Sequence, residues 1–319
     1  MSITKLHEKA YENPRIIEVA GTNAWEGKVV WSASKSMWIT GMTLAGIMGA
    51  IATMSLENLL VFLVTTTVTL CLGHSLGMHR RFIHHSYACP KYLEYLFVYF
   101  GVLVGLAGPM GMMYTHDLRD WAQRQKRCHP YFGHKTSLLK DGFWQLHCDI
   151  RLDHPPRFNP EKDVANNVFY QVLEKTWMWQ QLPVALLLYF MGGVDWVIWG
   201  VCLRVAISVA GHWLIGHFAH NVGQREWHIE GAAVQGFNIK FCGLITMGES
   251  WHNNHHAFPN SALLGIQPDQ TDPGWWVLLL LKKLGLVWAI NKPDDLPARP
   301  ELVCLNEKTE VKQSSVVAF

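Results

Sequence analysis

The run LLVFLVTTTVTLCLGHSLGMHRRFIHH, residues 59–85, decides how this chain is to be read. Residues 59–77 carry no charged side chain, and the only interruption is His74 near the end. That length approaches the roughly 20 apolar residues a helix needs to cross a bilayer. The run then breaks abruptly into imidazoles and guanidinium groups. Residues 37–54 form a second uncharged apolar stretch just upstream, and Ser55, Leu56, Glu57 and Asn58 supply a polar turn between the two. The pair reads as a transmembrane hairpin.

Composition agrees with that reading. Half of the 319 residues are hydrophobic and only 16% are charged, against about 25% in a typical soluble domain. The 15 Trp fit a chain with much membrane–water interface. The net charge of +2 gives no argument for a nucleic-acid partner. The seven Cys are dispersed, with no C-x-x-C pair, as expected for a reducing compartment and not for a disulfide scaffold. Residues 1–35 are polar and lack an early apolar core, so no signal peptide is expected and the first span would direct insertion.

A second hairpin is expected from residues 182–191, extended back to Trp177, a turn at Gly192, Gly193 and Asp195, and a return over residues 196–216. Arg204 lies inside the return, where packing within the bundle or snorkelling is expected. Lys5, Lys9, Arg15, Lys28 and Lys35 precede the first span, Arg80 and Arg81 follow the second, and the turn between has no cation. The positive-inside rule places both ends of that hairpin in the cytoplasm. Residues 93–113 are apolar but contain Glu94, Gly101, Gly105, Gly108, Pro109 and Gly111. They read as re-entrant or interfacial, since a full crossing would put the histidines on either side of them on opposite faces. Residues 275–290, with Lys282 and Lys283, read as a surface-lying helix, and the chain from Arg299 as a polar, disordered tail. The expected fold is an all-α integral membrane protein: four transmembrane helices in two hairpins, under a cytoplasmic helical cap holding a histidine-rich metal site. Residues 1–35 would be a cytoplasmic segment, 36–293 the membrane body and 294–319 the tail.

The 17 His gather in short clusters. His74, His79, His84 and His85 close the second span, with His79 and His84 spaced H-x4-H. His116 is followed four residues later by Asp120. His212, His217 and His220 end the fourth span, and His252, His255 and His256 form H-x2-H-H. Residues three and four apart share a helix face, so the last three can point imidazoles at one place, and His116 and Asp120 can offer a nitrogen and an oxygen together. In the hairpin topology every cluster falls at the cytoplasmic surface. So many imidazoles with so few thiolates argue against a Cys-rich structural zinc site. They exceed what one metal can accept, which points to two, and histidine-bound iron with an open position suits oxygen activation. A single histidine at a membrane interface is ordinarily packing. Four clusters on one side are not.

At these residues the chain resembles the membrane fatty-acid desaturase family, in its acyl-CoA desaturase-like branch. His79-Arg-Arg-Phe-Ile-His84-His-Ser-Tyr is similar to that family's first histidine box. Gly248-Glu-Ser-Trp-His252-Asn-Asn-His255-His256-Ala-Phe-Pro is similar to its third, the most specific part, and Cys89-Pro-Lys-Tyr-Leu-Glu-Tyr fits as well. The resemblance covers about residues 59–293. It implies two irons, a kinked acyl tunnel between four spans, and an oxygen-dependent desaturation of a fatty-acyl chain. Carried over by position, the ligands are His79, His84, His116, His220, His252, His255 and His256. Two departures stand out. The family's second box ends in two histidines where this chain has Arg119 and Asp120, and an Asn that holds an iron-bound water is replaced by Gly216. Asp120 is the candidate replacement ligand, with His147, His217 and His212 as substitute or supporting candidates. His129, His134 and His154 are also available, and His74 and His85 are expected bystanders.

The chain carries no dinucleotide fingerprint, iron–sulfur cysteine set or haem segment, so a separate ferredoxin, cytochrome or reductase must deliver electrons. The acyl group would ride on CoA, an acyl carrier protein or a lipid. Arg80, Arg81, Arg119, Arg124, Lys126 and Arg127 form an expected basic patch for a phosphate-bearing carrier or for lipid headgroups. A hydroxylase or acetylenase of the same superfamily is the near alternative. A zinc-dependent membrane hydrolase with Glu249 as base, or a metal transporter, stands further off.

Overall fold

The computed structural model describes residues 14–305, and these fold mostly as helices. Helix α1, Ala33–Ala52, runs up to a short polar turn. Helix α2, Leu56–Val68, starts where the Ser55 hydroxyl accepts from Asn58 N–H at 3.1 Å, one of the N-terminal donors a helix leaves unpaired. The turn is thus Thr53–Ser55, shorter than the sequence suggests, because Leu56 and Glu57 are already helical. Helix α2 continues without a break as a π-helical segment, Thr69–Ile83. The whole Leu56–Ile83 rod is, among the described residues, one of two helical stretches long and apolar enough to cross a membrane.

Helix α3, Lys91–Leu103, and helix α4, Pro109–Arg124, lie either side of a bend with Gly105 at φ +89°. At 13 residues α3 is roughly 20 Å long, short of a bilayer crossing. It packs tightly on the π segment: a Cβ at Gly73 would stand 2.3 Å from the Phe100 carbonyl carbon. Helices α5, Leu138–His147, α6, Lys162–Ala165, and α7, Val168–Thr176, build the polar end. Helix α8, Gln181–Val197, passes through a second π segment, Ile198–Leu203, into α9, Arg204–Ala219. This Gln181–Ala219 stretch is the other candidate span. It breaks at Gly192 (φ −149°) and Gly193 (φ 72°), which are not helical, so it forms two legs with the turn where the glycines stand. Helices α10, His252–Ala257, and α11, Pro273–Lys283, complete the set. Trp276, Leu279 and Leu280 of α11 are exposed while Leu278 is buried, as a surface helix requires.

Three two-stranded antiparallel sheets correct the all-α expectation. Ile16–Ile17 pairs with Arg157–Phe158, Gly27–Trp31 with Cys148–Leu152, and Trp227–Ile229 with Leu302–Cys304. They tie both ends of the described part to its body. Arg299 and the residues after it, expected to be a disordered tail, are structured up to Leu305. Arg299 is buried and donates to the backbone carbonyls of His256 and Ala257, each at 2.8 Å. Residues 306–319 lie outside the described part.

Phe82, Val98, Val102, Met113 and Tyr170 form one apolar core where the π segment, α3, α4 and α7 meet. Leu76, Tyr87, Phe97, Leu278 and Val287 form another under α11. Outside these, Leu44, Ile51, Leu60, Val64, Leu187, Phe190 and Ile207 point outward and are exposed, a surface of large apolar side chains of the kind that marks contact with lipid or protein. Arg204 does not reach a surface. It is 1% exposed and donates to Gly200 O at 2.7 Å, to Leu103 O, and to Gln181 Oε1 at 2.6 Å. All seven cysteines are free.

Candidate metal centre

The π segment explains the spacing of the first cluster. Bonds from i to i+5 replace those from i to i+4, and His84 N–H donates to His79 O at 3.1 Å. Residues five apart therefore come nearly into line: His79 and His84 lie 4.9 Å apart by ring centroid, and His74 stacks on His79 at 6.4 Å and 11°. An α-helix would have fanned these side chains apart.

Two groups of imidazoles result. His79, His84, His116 and His255 form the first, with His79 Nε2 and His255 Nε2 3.4 Å apart and His84 Nε2 and His116 Nε2 3.2 Å apart. His220, His252 and His256 form the second, with Nε2 separations of 3.0 and 2.9 Å about His252. The H-x2-H-H cluster, His252, His255 and His256, is therefore split. His255 and His256 are neighbours, about 100° apart around a helix axis, and their rings stand at 89°, so they serve different groups and do not converge on one point.

The opposite edges of several rings are held by acceptors. Glu249 Oε2 lies 2.6 Å from His79 Nδ1, Asp117 Oδ1 lies 3.4 Å from His116 Nδ1, and His220 Nδ1 contacts Gly216 O at 2.7 Å. These contacts call for hydrogen on Nδ1 and leave a lone pair on Nε2. Several lone pairs facing one another at about 3 Å repel unless a cation sits among them, and carboxylate support behind a ligating imidazole is the usual arrangement at metal sites. Burial first, then the neighbouring imidazoles, holds His84 and His255 well below their usual pKa, and His220 and His252 likewise. The neutral form that binds metal is thus favoured. The donor set fits transition metal ions at both groups.

Asp120 lies beside the second group. Its nearest cation is Arg124, at 3.9 Å. Burial pushes its carboxyl up, but His116, Arg124, His256 and His252 outweigh this and hold it at about 2. It is an anion facing both groups, although its oxygens are not among the tightly gathered donor atoms.

The supporting candidates separate. His212 stands edge-on to His74, 5.0 Å away, on the wall of a cavity of about 410 Å³ that also meets His79, His116, His252 and Glu249. His217 joins His134 and Asp141 in a third buried cluster. His147 contacts Ser36 Oγ at 3.0 Å, stacks on Phe143 and is a member of neither group. The histidine that does reach the second group from that stretch is His134, stacked on His220 at 5.3 Å. His85 pairs with Glu161 outside the cluster, whereas His74, expected to be a bystander, lines the cavity. Trp38, Ile39, Leu106, Met112, Trp177 and Val209 supply the cavity's apolar walls.

The expected basic patch dissolves on folding. Arg80 is buried against Asp272 at 2.8 Å and Glu249 at 3.2 Å, Arg81 pairs with Glu94 at 2.6 Å, and Arg119 turns inward to His134. These cations brace the site. Lys126 and Arg127 alone of the six are exposed. Glu249, cast from sequence as a hydrolytic base, is spent on His79, Arg80 and Ser75. Asp117, buried and paired with Arg15 at 2.6 Å, and Asp141 were not singled out, because a lone carboxylate carries no motif.

No family model matches the chain. Individual proteins do. Over 233 residues it is 32% identical to acyl-CoA C20 Delta5-desaturase of Anemone leveillei, covering 71% of this chain and 72% of that protein. Over 240 residues it is 33% identical to sn-1 stearoyl-lipid 9-desaturase of Anabaena variabilis, covering 73% and 84%. Over 234 residues it is 30% identical to Delta-9 acyl-lipid desaturase 1 of Arabidopsis thaliana, covering 72% and 73%.

Proposed function

The chain belongs to the fatty-acid desaturase family, and from that premise we propose that it inserts a double bond into a fatty-acyl chain at a di-iron centre. The observation that carries the reading is the pair of imidazole groups with facing Nε2 lone pairs on the wall of an apolar cavity. His79, His84, His116 and His255 would hold one iron. His220, His252 and His256 would hold the other, with Asp120 as the carboxylate ligand. Four spans in two hairpins would form the body, residues 36–293, with both groups at the cytoplasmic surface and the exposed apolar side chains of α1, α2, α8 and α9 against lipid.

Iron bound by these donors supplies, with oxygen, the oxidising power needed at an unactivated methylene. The balance is R-CH2-CH2-R + O2 + 2 electrons + 2 protons giving R-CH=CH-R + 2 water, and the electrons come from a separate ferredoxin, cytochrome or reductase. The protein's own residues orient and shield. Trp38, Leu106, Trp177 and Val209 would align the acyl chain past His79 and His252 and exclude water. Glu249 and Asp117 would keep His79 and His116 aimed, the latter through the buried Arg15–Asp117 pair. The acyl group would arrive on CoA, an acyl carrier protein or a lipid. With Arg80, Arg81 and Arg119 committed elsewhere, carrier recognition would fall to other surface groups.

The test is metal analysis of the purified protein, paired with turnover of a labelled acyl substrate. About two irons per chain and an unsaturated product that needs both oxygen and reductant are expected. A product that retains oxygen would make the enzyme a hydroxylase. Zinc with turnover under argon would overturn the reading.

A further inference from the structure

The wall beside the second imidazole group departs from the family pattern at Arg119 and Gly216, and His134 joins the two. A Cβ built at Gly216 would stand 3.4 Å from His134 Nε2, so an imidazole borders the space that a side chain at 216 would enter. The His134 ring lies parallel to His220, at 12°. Its backbone is left-handed, φ 52°, which a residue with a side chain holds only where its surroundings compel it. Asp141 supplies part of that compulsion. Its Oδ2 accepts from His134 Nδ1 at 2.8 Å, His217 Nδ1 at 2.9 Å and Trp213 Nε1 at 2.9 Å. With hydrogen on Nδ1, His134 Nε2 is an acceptor, and Arg119 donates to it. Arg119 also donates to Gln145 Oε1 at 2.8 Å and lies over the Tyr131 ring.

Among the described residues, no carboxylate is a hydrogen-bond partner of Arg119. A half-buried cation without a direct counter-ion is costly, and next to a metal ion it also repels the metal. The Asp141–His134 arm answers both problems. It brings a negative charge to the guanidinium through one imidazole, and it ties the guanidinium to His134 so that it does not swing toward His220 and Asp120. The same triad contains metal-type donors. However, one carboxylate oxygen there takes three N–H groups, one of them an indole N–H that can only donate, and that is a hydrogen-bond hub.

We propose that His134 and Asp141 are positioning residues for the second metal group: they tether Arg119, the cation standing where the family pattern has a metal-ligating imidazole, and so let His220, His252 and His256 hold a metal ion beside it. This rests on the iron reading above. The test uses the full-length protein, iron-loaded in detergent, with metal content and Mössbauer spectra as readouts. His134→Ala is expected to lower iron from about two to about one per chain and weaken the second site at least tenfold, within the range for outer partners of metal ligands. His134→Gln, which keeps an acceptor for Arg119, should retain both irons. The double variant Arg119→Gln with His134→Ala should regain the second iron, a rescue that a purely structural role would not give. Two irons with unaltered spectra in His134→Ala would overturn the proposal alone, as would a double variant no better than His134→Ala. A third metal equivalent lost in Asp141→Asn with the pair intact would overturn it by making the triad itself a metal site. Iron absent from the wild type would overturn the iron reading and this proposal with it.

Discussion

Replacing Glu249 by Gln isolates what one carboxylate does for the first imidazole group. Glu249 Oε2 lies 2.6 Å from His79 Nδ1, while Oε1 accepts from Ser75 Oγ at 2.6 Å and Arg80 Nη1 at 3.2 Å. Burial alone would push its carboxyl up, but His79, Arg80 and His74 outweigh that and keep it ionised far below the usual range. Glu249→Gln preserves shape and removes the charge. A hydrogen bond to a charged group contributes about 1.5–3 kcal/mol, and a neutral one about 0.5–1.5 kcal/mol. The His79 contact should therefore weaken by about 1–1.5 kcal/mol. Outer carboxylates at metal sites are typically worth about 10- to 100-fold in affinity, or about 1.4–2.7 kcal/mol. The two routes agree on about 1–3 kcal/mol. The fold should survive, because Arg80 keeps both Asp272 oxygens, at 2.8 and 3.0 Å, and Ala262 O at 2.8 Å. The assay is a chelator-competition titration of iron(II), run beside thermal melting of the metal-free protein. One metal should bind about tenfold or more weaker, with Tm nearly unchanged. Unaltered affinity would refute the reasoning, and so would a collapse of Tm, which would make Glu249 a support of the fold and not of the metal.

Asp272→Asn should be the more damaging change. It weakens the counter-ion of buried Arg80 and the cap that accepts from Trp275 N–H at 2.9 Å, and breaking a buried pair costs about 3–5 kcal/mol. A large loss of Tm in detergent checks it, and a Tm within a few degrees of wild type would be evidence against it. Gly73→Ala should destabilise by about 1–3 kcal/mol through overpacking, since its Cβ would meet the Phe100 backbone at 2.3 Å. A denaturant midpoint equal to wild type would show that α3 moves aside freely. The metal-free protein should lose stability on acidification. Burial, ahead of their charged neighbours, lowers His134 and His256 to about 4. The unfolded chain therefore binds more protons from pH 6.5 downward, and stability present above 6.5 is lost as pH falls toward 4. A fall from 6.5 to about 4 corresponds to about 3 kcal/mol for each group taken alone. Tm measured from pH 8 to 4 should stay level and then fall below about 6.5, and a level profile throughout would refute the assignment.

Hydropathy and the clustering of histidines make the long apolar helices and the candidate metal-binding groups legible from the chain alone. The 28-residue stretch Leu56–Ile83 is long and apolar enough to cross a membrane, and every histidine of the two groups stands in a cluster visible in the sequence. Both signals are local: they depend on which residues stand close in sequence. The arrangement was not local. An i to i+4 reading cannot foresee that residues 69–83 take the wider π turn that brings His74, His79 and His84 into line. Nor does H-x2-H-H say that His255 will leave His252 and His256 for another group. Arg80, Arg81 and Arg119 looked like a surface patch because sequence gives charge without burial. Only their distant partners Asp272, Glu94 and His134 show that they face inward. His147 and His134 were indistinguishable as letters, and the choice fell to Asp141 and the space over Gly216. The order of residues settles which chemical groups are present and where the long apolar runs lie. Tertiary structure decided which lone pairs face one another, because convergence is a matter of distance and angle between residues as far apart as His79 and His255.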